Sequence, residues 1–412
     1  MKYESYKMTP IQFLLSVACH IQASTLLTAF FVTISKQDSW LVVIFGALTC
    51  LPFVLIYCAL MKNFQGMNLI EINRMVFGNI GGTLISLCYF WFFLTLSSLT
   101  LRDFGQFIGN TIMQETPRSV IISLFIVVCA WAVRGGLRTV VRYNLVFVST
   151  SISVAVTTII LTLNLMKLTN FLPILDLPLK SYINSTHIVA TIPFGETVAF
   201  MMIAPFVKLK EGGDFKKYFL GGIALGGGTL MLVVARDSAV LGKMLSFFSL
   251  PTFETLRLVN ISKALTRMEI LFAGVLMLLL FAKIILLFYV TSLALAQILR
   301  LESYQPLVFS LGAFITIYSL TLYRSSVQHA ASAQQIIPFF WSFFEFLLPT
   351  VTLIVAKMRK LPQSQEQSQS QPQSQAQSQP QSQSQSQAQP RTQPQGQPQM
   401  QMQAQPQVQE GS

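Results

Sequence analysis

Residues 193–205 read Pro193-Phe194-Gly195-Glu196-Thr197-Val198-Ala199-Phe200-Met201-Met202-Ile203-Ala204-Pro205. The run is apolar enough to lie in a membrane, yet it carries two prolines, a glycine and a carboxylate. Pro193 supplies no backbone N–H and its ring crowds the carbonyl four residues earlier, so a regular helix cannot pass through it. An ionisable side chain at the centre of a membrane helix costs about 2.5–3.5 kcal/mol on insertion scales, so Glu196 needs a compensating role. Broken backbone at membrane depth is tolerated only where protein or a water-lined cavity satisfies the freed groups. The segment therefore predicts a broken membrane helix built around a site.

The rest of the chain agrees with a membrane setting. Of 412 residues, 52% are hydrophobic, 33 are Phe and only 11% are charged, against about 25% charged in soluble domains. Spanning helices need about 20 mostly apolar residues, and ten stretches are candidates: 10–33, 40–61, 81–101, 119–133, 140–165, 187–207, 219–235, 267–297, 305–323 and 337–358. An even number places both termini on one side. The formal charge of +12 sits mainly in the short connections, 15 Lys and Arg on the N-terminal side against 11 on the other up to Lys360. That distribution is a topology signal that favours a cytoplasmic N-terminus by a small margin; the shared side of the termini follows from the parity, and the absolute orientation stays open. No nucleic-acid-binding pattern accompanies it, and nucleic acid is excluded as a partner. Residues 1–360 are expected to form one membrane domain. Residues 361–412, almost wholly Gln, Ser and Pro, are expected to form a disordered tail.

The spacing divides the spans into two halves of five, 10–165 and 187–358. Five crossings reverse the chain, so the halves form a 5+5 inverted repeat, and the fold class is an all-α polytopic membrane protein. Spans one and six then correspond, and both are interrupted: span one contains Cys19-His20-Ile21-Gln22-Ala23-Ser24. Paired breaks at matching positions point to a midplane binding site. An unwound segment at Glu196 is expected to offer carbonyls on one side and N–H groups on the other. A zwitterion fits that pair of half-helix ends, its ammonium facing carbonyls and Glu196.

Lys283 lies deep in span eight, 16 residues after Arg267 and roughly 24 Å along the axis. Two readings stay open: a fixed cation in a coupling or proton-relay role, or a salt bridge to Glu196 that locks the bundle. Ser97, Ser98 and Thr100 in span three are ligand candidates, although small hydroxyl residues also serve helix packing. Glu345 in span ten is costly and has no evident purpose. Asp103 and Glu269 sit near span ends and are expected to be solvated or paired. Gly221-Gly222 and Gly226-Gly227-Gly228 suit close helix packing. Leu241–Ala264 is too polar to span and reads as short interfacial helices over the external mouth.

Other chemistries find no support. The five cysteines lie within spans and show no CxxC spacing, so neither a disulfide framework nor a zinc site is expected. His20, His187 and His329 form no metal-ligand pair at helical spacing, and no cofactor is expected. There is no GxSxG, HExxH or P-loop motif, so the chain is not read as an enzyme. Leu14-Leu15-Ser16-Val17-Ala18-Cys19 departs from a lipoprotein cleavage box at Ser16, and the apolar run continues beyond it, so span one is read as uncleaved.

As a set, several motifs resemble one family. Residues 193–200 followed by Pro205, Arg134-Gly135-Gly136-Leu137 with Arg142, Pro251-Thr252-Phe253-Glu254 with Arg257, and Arg267-Met268-Glu269-Ile270 are similar to the permease-like B subunit of bacterial spore nutrient germinant receptors. The resemblance covers most of residues 5–358. It implies a ten-helix fold of the amino acid–polyamine–organocation superfamily and a place in the inner membrane of the spore. It also implies assembly with a receptor A subunit and a lipoprotein C subunit, and binding of a small nutrient, often an amino acid. The ligand residues it implies are Gln22, Ala23, Ser24, Ser97, Ser98, Gly195, Glu196, Thr197, Lys283 and Leu287. Where related transporters carry Gly-x-Gly in the first break, this chain has Gln22-Ala23-Ser24. The leading expectation is a nutrient sensor that signals to partner subunits; the alternative is a proton-coupled amino-acid symporter.

Overall fold

The computed structural model describes residues 6–209, 214–258 and 268–361. Its elements are helical, and the one β contact among these residues is an isolated parallel bridge between Met8 and Val207. The expected tail from 362 onward, the end of the external loop (259–264) and Arg267 all lie outside the described residues.

In the first half, α1 (Pro10–Ala23), a 3-10 segment (Ser24–Leu27) and α2 (Ala29–Ser35) follow one another. Thr9 starts α1 with a capping box: its hydroxyl accepts from the Gln12 amide while the Gln12 side chain accepts from the Thr9 amide, satisfying two N–H groups that the first turn leaves unpaired. Next come α3 (Ser39–Asn63), α4 (Leu69–Thr111), α5 (Arg118–Arg134), α6 (Leu137–Arg142) and α7 (Asn144–Thr162). The 43 residues of α4 break at Gly78, where φ is 80°, so residues 69–77 form a separate arm before the apolar length that was expected to span.

In the second half, α8 (Leu179–Val189) runs into a π turn (Ala190–Phe194) and two 3-10 segments (Gly195–Met202 and Ala204–Phe206). They are followed by α9 (Phe215–Leu241), a 3-10 stretch (Gly242–Phe247), α10 (Pro251–Arg257), α11 (Met268–Ile298), α12 (Leu307–Thr321), α13 (Ser326–Gln335) and α14 (Ile337–Ser342). A second π turn (Phe343–Leu347) leads into α15 (Leu348–Met358).

Seven helical stretches among the described residues are long and apolar enough to cross a membrane, or eight if α12 and α13 count as one span bent by 94°. The reasons this falls below ten are physical. Helix α5 has only 17 residues, α12 only 15, and the sixth expected span is not one continuous helix. The bend into α13 falls where the sequence reading placed a simple connection.

Helix α1 packs most closely on α9. A Cβ at Gly222 would lie 2.7 Å from the Leu14 carbonyl oxygen, and one at Gly226 would lie 2.8 Å from Ile21 Cβ. Small residues at such crossings let backbones approach where apolar burial gives no preference for helix over lipid. This contact fixes the register of the first break against the second half. Lys283 is among the largest fully enclosed side chains of the chain, a set otherwise made up of aromatic residues and Met8.

Candidate functional site

The two breaks are kept together by local hydroxyls. In the first, Thr25 donates to the Gln22 carbonyl at 2.7 Å and Thr28 to the Thr25 carbonyl at 3.1 Å. In the second, Thr191 donates to the His187 carbonyl at 2.9 Å and Thr197 to the Phe194 carbonyl at 2.6 Å. The expected unwinding at Glu196 is thereby corrected: the chain stays wound, first wider and then tighter than an α-helix. Pro193 removes one N–H, and a π turn absorbs the resulting mismatch without exposing a run of backbone, as single π turns do at functional sites.

Four side chains converge between these breaks. Lys283 Nζ lies 2.6 Å from Glu196 Oε2, and His20 Nε2 lies 3.1 Å from the same oxygen. Lys283 also donates to Ser24 Oγ at 2.9 Å. Each residue is at most 3% exposed. Of the three ammonium donors, two have partners here, and His20 Nδ1 has none among the described residues. An ion pair this deep is sustained by geometry and additional hydrogen bonds, because removing two charges from water costs several kcal/mol per ion. His20 was placed in the interrupted stretch of span one but not among the ligand candidates; the missed signal is that it lies four residues before Ser24, on the same helix face. No three His, Cys, Asp or Glu residues among those described are grouped to hold a metal ion.

The other candidates are dispersed. Gln22 donates to Thr229 Oγ1 on α9 at 3.1 Å and lines a separate cavity of about 20 Å³ with Thr25, Ser151, Thr158 and Arg236. Ala23 is buried at the end of α1. Ser97 shares a hydrogen bond with Thr291 at 3.1 Å, and Ser98 donates to the Leu94 carbonyl of its own helix. Neither lines the space beside Glu196. The α4 residues that do are Leu96, Leu99, Thr100 and Asp103, spaced i, i+3, i+4 and i+7 as one helix face requires. Ser97 and Ser98 are turned about 110° and 150° away from its centre. Leu287 is buried one turn beyond Lys283, its carbonyl accepting from Thr291.

Gly195 takes a different partner from the one expected. The Glu345 carboxyl fills the place a Cβ at Gly195 would occupy, and neither of its oxygens has a hydrogen bond among the described residues. The missing N–H of Pro349 leaves the Glu345 carbonyl free, and Tyr57 donates its hydroxyl to it at 2.5 Å. Tyr89 donates to the Phe344 carbonyl at 3.0 Å. The two interrupted helices thus meet at a glycine and a buried carboxyl.

Above the Glu196 cluster lies a cavity of about 750 Å³, walled by α2, the end of α4, α10, the start of α11 and α13. A slot of only about 10 Å³ lies between it and Glu196. Leu27, Phe30, Asp103 and His329 line both spaces. Asp103 Oδ1 is 3.3 Å from His329 Nδ1, so the pairing of Asp103 is across the bundle.

A family model described as spore germination protein, the spore permease family, matches residues 7–327. The chain belongs to that family. Among spore permease relatives, Bacillus subtilis spore germination protein KB is 24% identical over 342 residues, covering 82% of this chain and 91% of its own length. B. subtilis spore germination protein YndE is 21% identical over 344 residues, covering 80% and 90%. Spore germination protein A2 of the same organism is 24% identical over 230 residues, covering 54% and 61%. Among solved structures, the nucleobase-cation-symport-1 transporter MHP1, closed with bromovinylhydantoin bound, superposes with a TM-score of 0.58. That match has 16% identity and covers 88% of this chain and 93% of MHP1. The spore permease chain therefore has a transporter-like, membrane-spanning fold, and its family is permease-like rather than enzymatic.

Proposed function

We propose that this spore permease is the nutrient-binding B subunit of a spore germinant receptor, and that it binds a small zwitterion, an amino acid, between the breaks at 20–24 and 193–197. The observation that carries this reading is the buried Glu196–Lys283 pair, braced by His20 and Ser24 exactly where two interrupted helices meet. With no ligand, the carboxylate and ammonium satisfy each other. An amino acid inserted between them replaces one pair with two, ammonium to Glu196 and carboxylate to Lys283, and leaves neither buried charge alone. Ala23, Gly195 and Thr197 would shape the walls around it.

The slot beside Glu196 is smaller than an amino acid and has room for at most about one water. Binding therefore requires the bundle to open, which is what a sensor needs: a ligand with different affinity for two conformations shifts their populations. We take the chain to cross the inner spore membrane ten times as a 5+5 inverted repeat over residues 1–360, with residues 361–412 as a separate tail. Its conformation would be read by a receptor A subunit and a lipoprotein C subunit.

Glu196→Gln keeps the shape and removes the charge. Spores carrying it as their only receptor of this type should need at least tenfold more amino acid for half-maximal germination. An unchanged dose response across single amino acids would rule out Glu196 as a ligand contact. A second reading, proton-coupled symport, is favoured by the direct contact of three titratable groups, His20, Glu196 and Lys283.

A further inference from the structure

The 750 Å³ cavity does not open freely onto the Glu196 cluster, and the residues shared by cavity and slot identify what closes it. Asp103 reaches from α4 to His329 on α13. The His329 ring is held in place by Tyr323, stacked at 5.0 Å, and by Phe30, edge-on at 5.5 Å. Phe30 belongs to α2, directly after the first break. The closure therefore joins the broken first span, α4 and the bent α13. It borders the ion pair through the slot, which Asp103, His329 and Glu196 line together, while the far wall at Glu269 is 14 positions from Lys283 on α11, about 21 Å along the axis.

The α4 side of the cavity wall favours a cation. Among the described residues, the charged side chains of the whole wall are Asp103, Glu254, Glu269, Arg257 and His329. Arg257 is engaged by both oxygens of Glu254 at 3.2 Å, so these two charges compensate each other. One turn from Asp103 on α4, Gln106 Oε1 is a buried acceptor without a hydrogen bond among the described residues. An ammonium carries three donors and no acceptor; the Asp103 carboxylate and Gln106 Oε1 offer it a charge and a neutral acceptor on one helix face.

We propose that this cavity is a capture site for the ammonium of a small amine. The ammonium takes His329's place on Asp103, and release of His329 opens the slot toward Glu196. The proposal deepens the reading of the Glu196 cluster as a ligand site, and chemistry that needs no knowledge of the nutrient tests it.

Two alanines on α13 serve as reporters, Ala330 in the cavity wall and Ala333 in the slot. In purified full-length protein with Cys88→Ala, the other four cysteines being buried, Ala330→Cys is treated with 2-aminoethyl or 2-sulfonatoethyl methanethiosulfonate. Rates are normalised to a free thiol in solution. The cationic reagent should react at least tenfold faster, the size expected of one carboxylate a few ångströms away in a partly screened site. Asp103→Asn should bring the ratio close to one, and Asp103→Glu should retain it. At Ala333→Cys, labelling should be slow and should rise at least tenfold with His329→Ala. Equal normalised rates of the two reagents at Ala330→Cys, in the chain that keeps Asp103, overturn the capture site even if no Asp103 variant folds. A ratio unmoved by Asp103→Asn overturns it too, and unaltered labelling of Ala333→Cys overturns the gate. None of these outcomes depends on how Glu196→Gln affects germination.

Discussion

Lys283→Met should destabilise the protein by about 3–5 kcal/mol, because it leaves the Glu196 carboxylate buried and without its cation. His20 and Ser24 do not replace the ammonium: Ser24 is a partner of Lys283 itself, and His20 shares the same Glu196 oxygen. Adding Glu196→Gln should recover most of the loss, since a neutral amide beside a thioether side chain no longer demands compensation. The check is a double-mutant cycle on detergent-solubilised protein, by SDS or thermal unfolding. A single mutant as stable as the parent would show that the pair is not held as described. Function separates the remaining readings. If the pair only locks the bundle, the double mutant regains both stability and germination. If it contacts ligand, it regains stability and stays unresponsive.

Arg236→Met should cost a similar 3–5 kcal/mol for the same reason, at a second and independent place. Arg236 reaches Asp237 Oδ1 through two nitrogens at 2.6 and 3.0 Å and donates to Thr158 Oγ1 on α7 at 2.6 Å. Thr252 on α10 donates to Asp237 Oδ2 at 2.5 Å. The network ties α7, α9 and α10 together at the wall of the small Gln22 cavity, and both charged residues are buried. Arg236→Met with Asp237→Leu should be far more stable than Arg236→Met alone. Equal losses in the single and double variants would contradict the pairing. Because this site lies apart from Glu196, its effect should add to that of Lys283→Met.

How much of this was legible in the sequence depends on the range of the interaction. Pro193, Gly195 and Glu196 announced the second break because proline sterics and the cost of a membrane charge are local properties. Lys283 was readable from its depth in an apolar run, and the structure brings it together with Ser24 and Glu196 from two further expected spans, one and six. The seventh expected span closes at residue 235, just before Arg236. Helix α9 runs on to Leu241 because Asp237, Thr158 and Thr252 satisfy that arginine, and those partners come from other helices. Of the three hydroxyls named in span three, helix rotation puts Thr100, with Leu96 and Leu99, on the face beside Glu196 and turns Ser97 and Ser98 away from it. His20 beside Glu196, Glu345 against Gly195 and Asp103 with His329 are each separated by well over a hundred residues in sequence. Only packing brings such pairs together, and no local pattern carries that information.

The most direct test combines binding and counterflow. Purified protein in liposomes is offered a panel of labelled amino acids, with Glu196→Gln alongside. The expected result is saturable binding of a zwitterionic amino acid, lost in Glu196→Gln, without exchange of label across the bilayer. Saturable counterflow abolished by Glu196→Gln would contradict the sensor and establish a carrier using the same cluster. Binding that Glu196→Gln leaves intact would remove the ligand site from between the two breaks altogether.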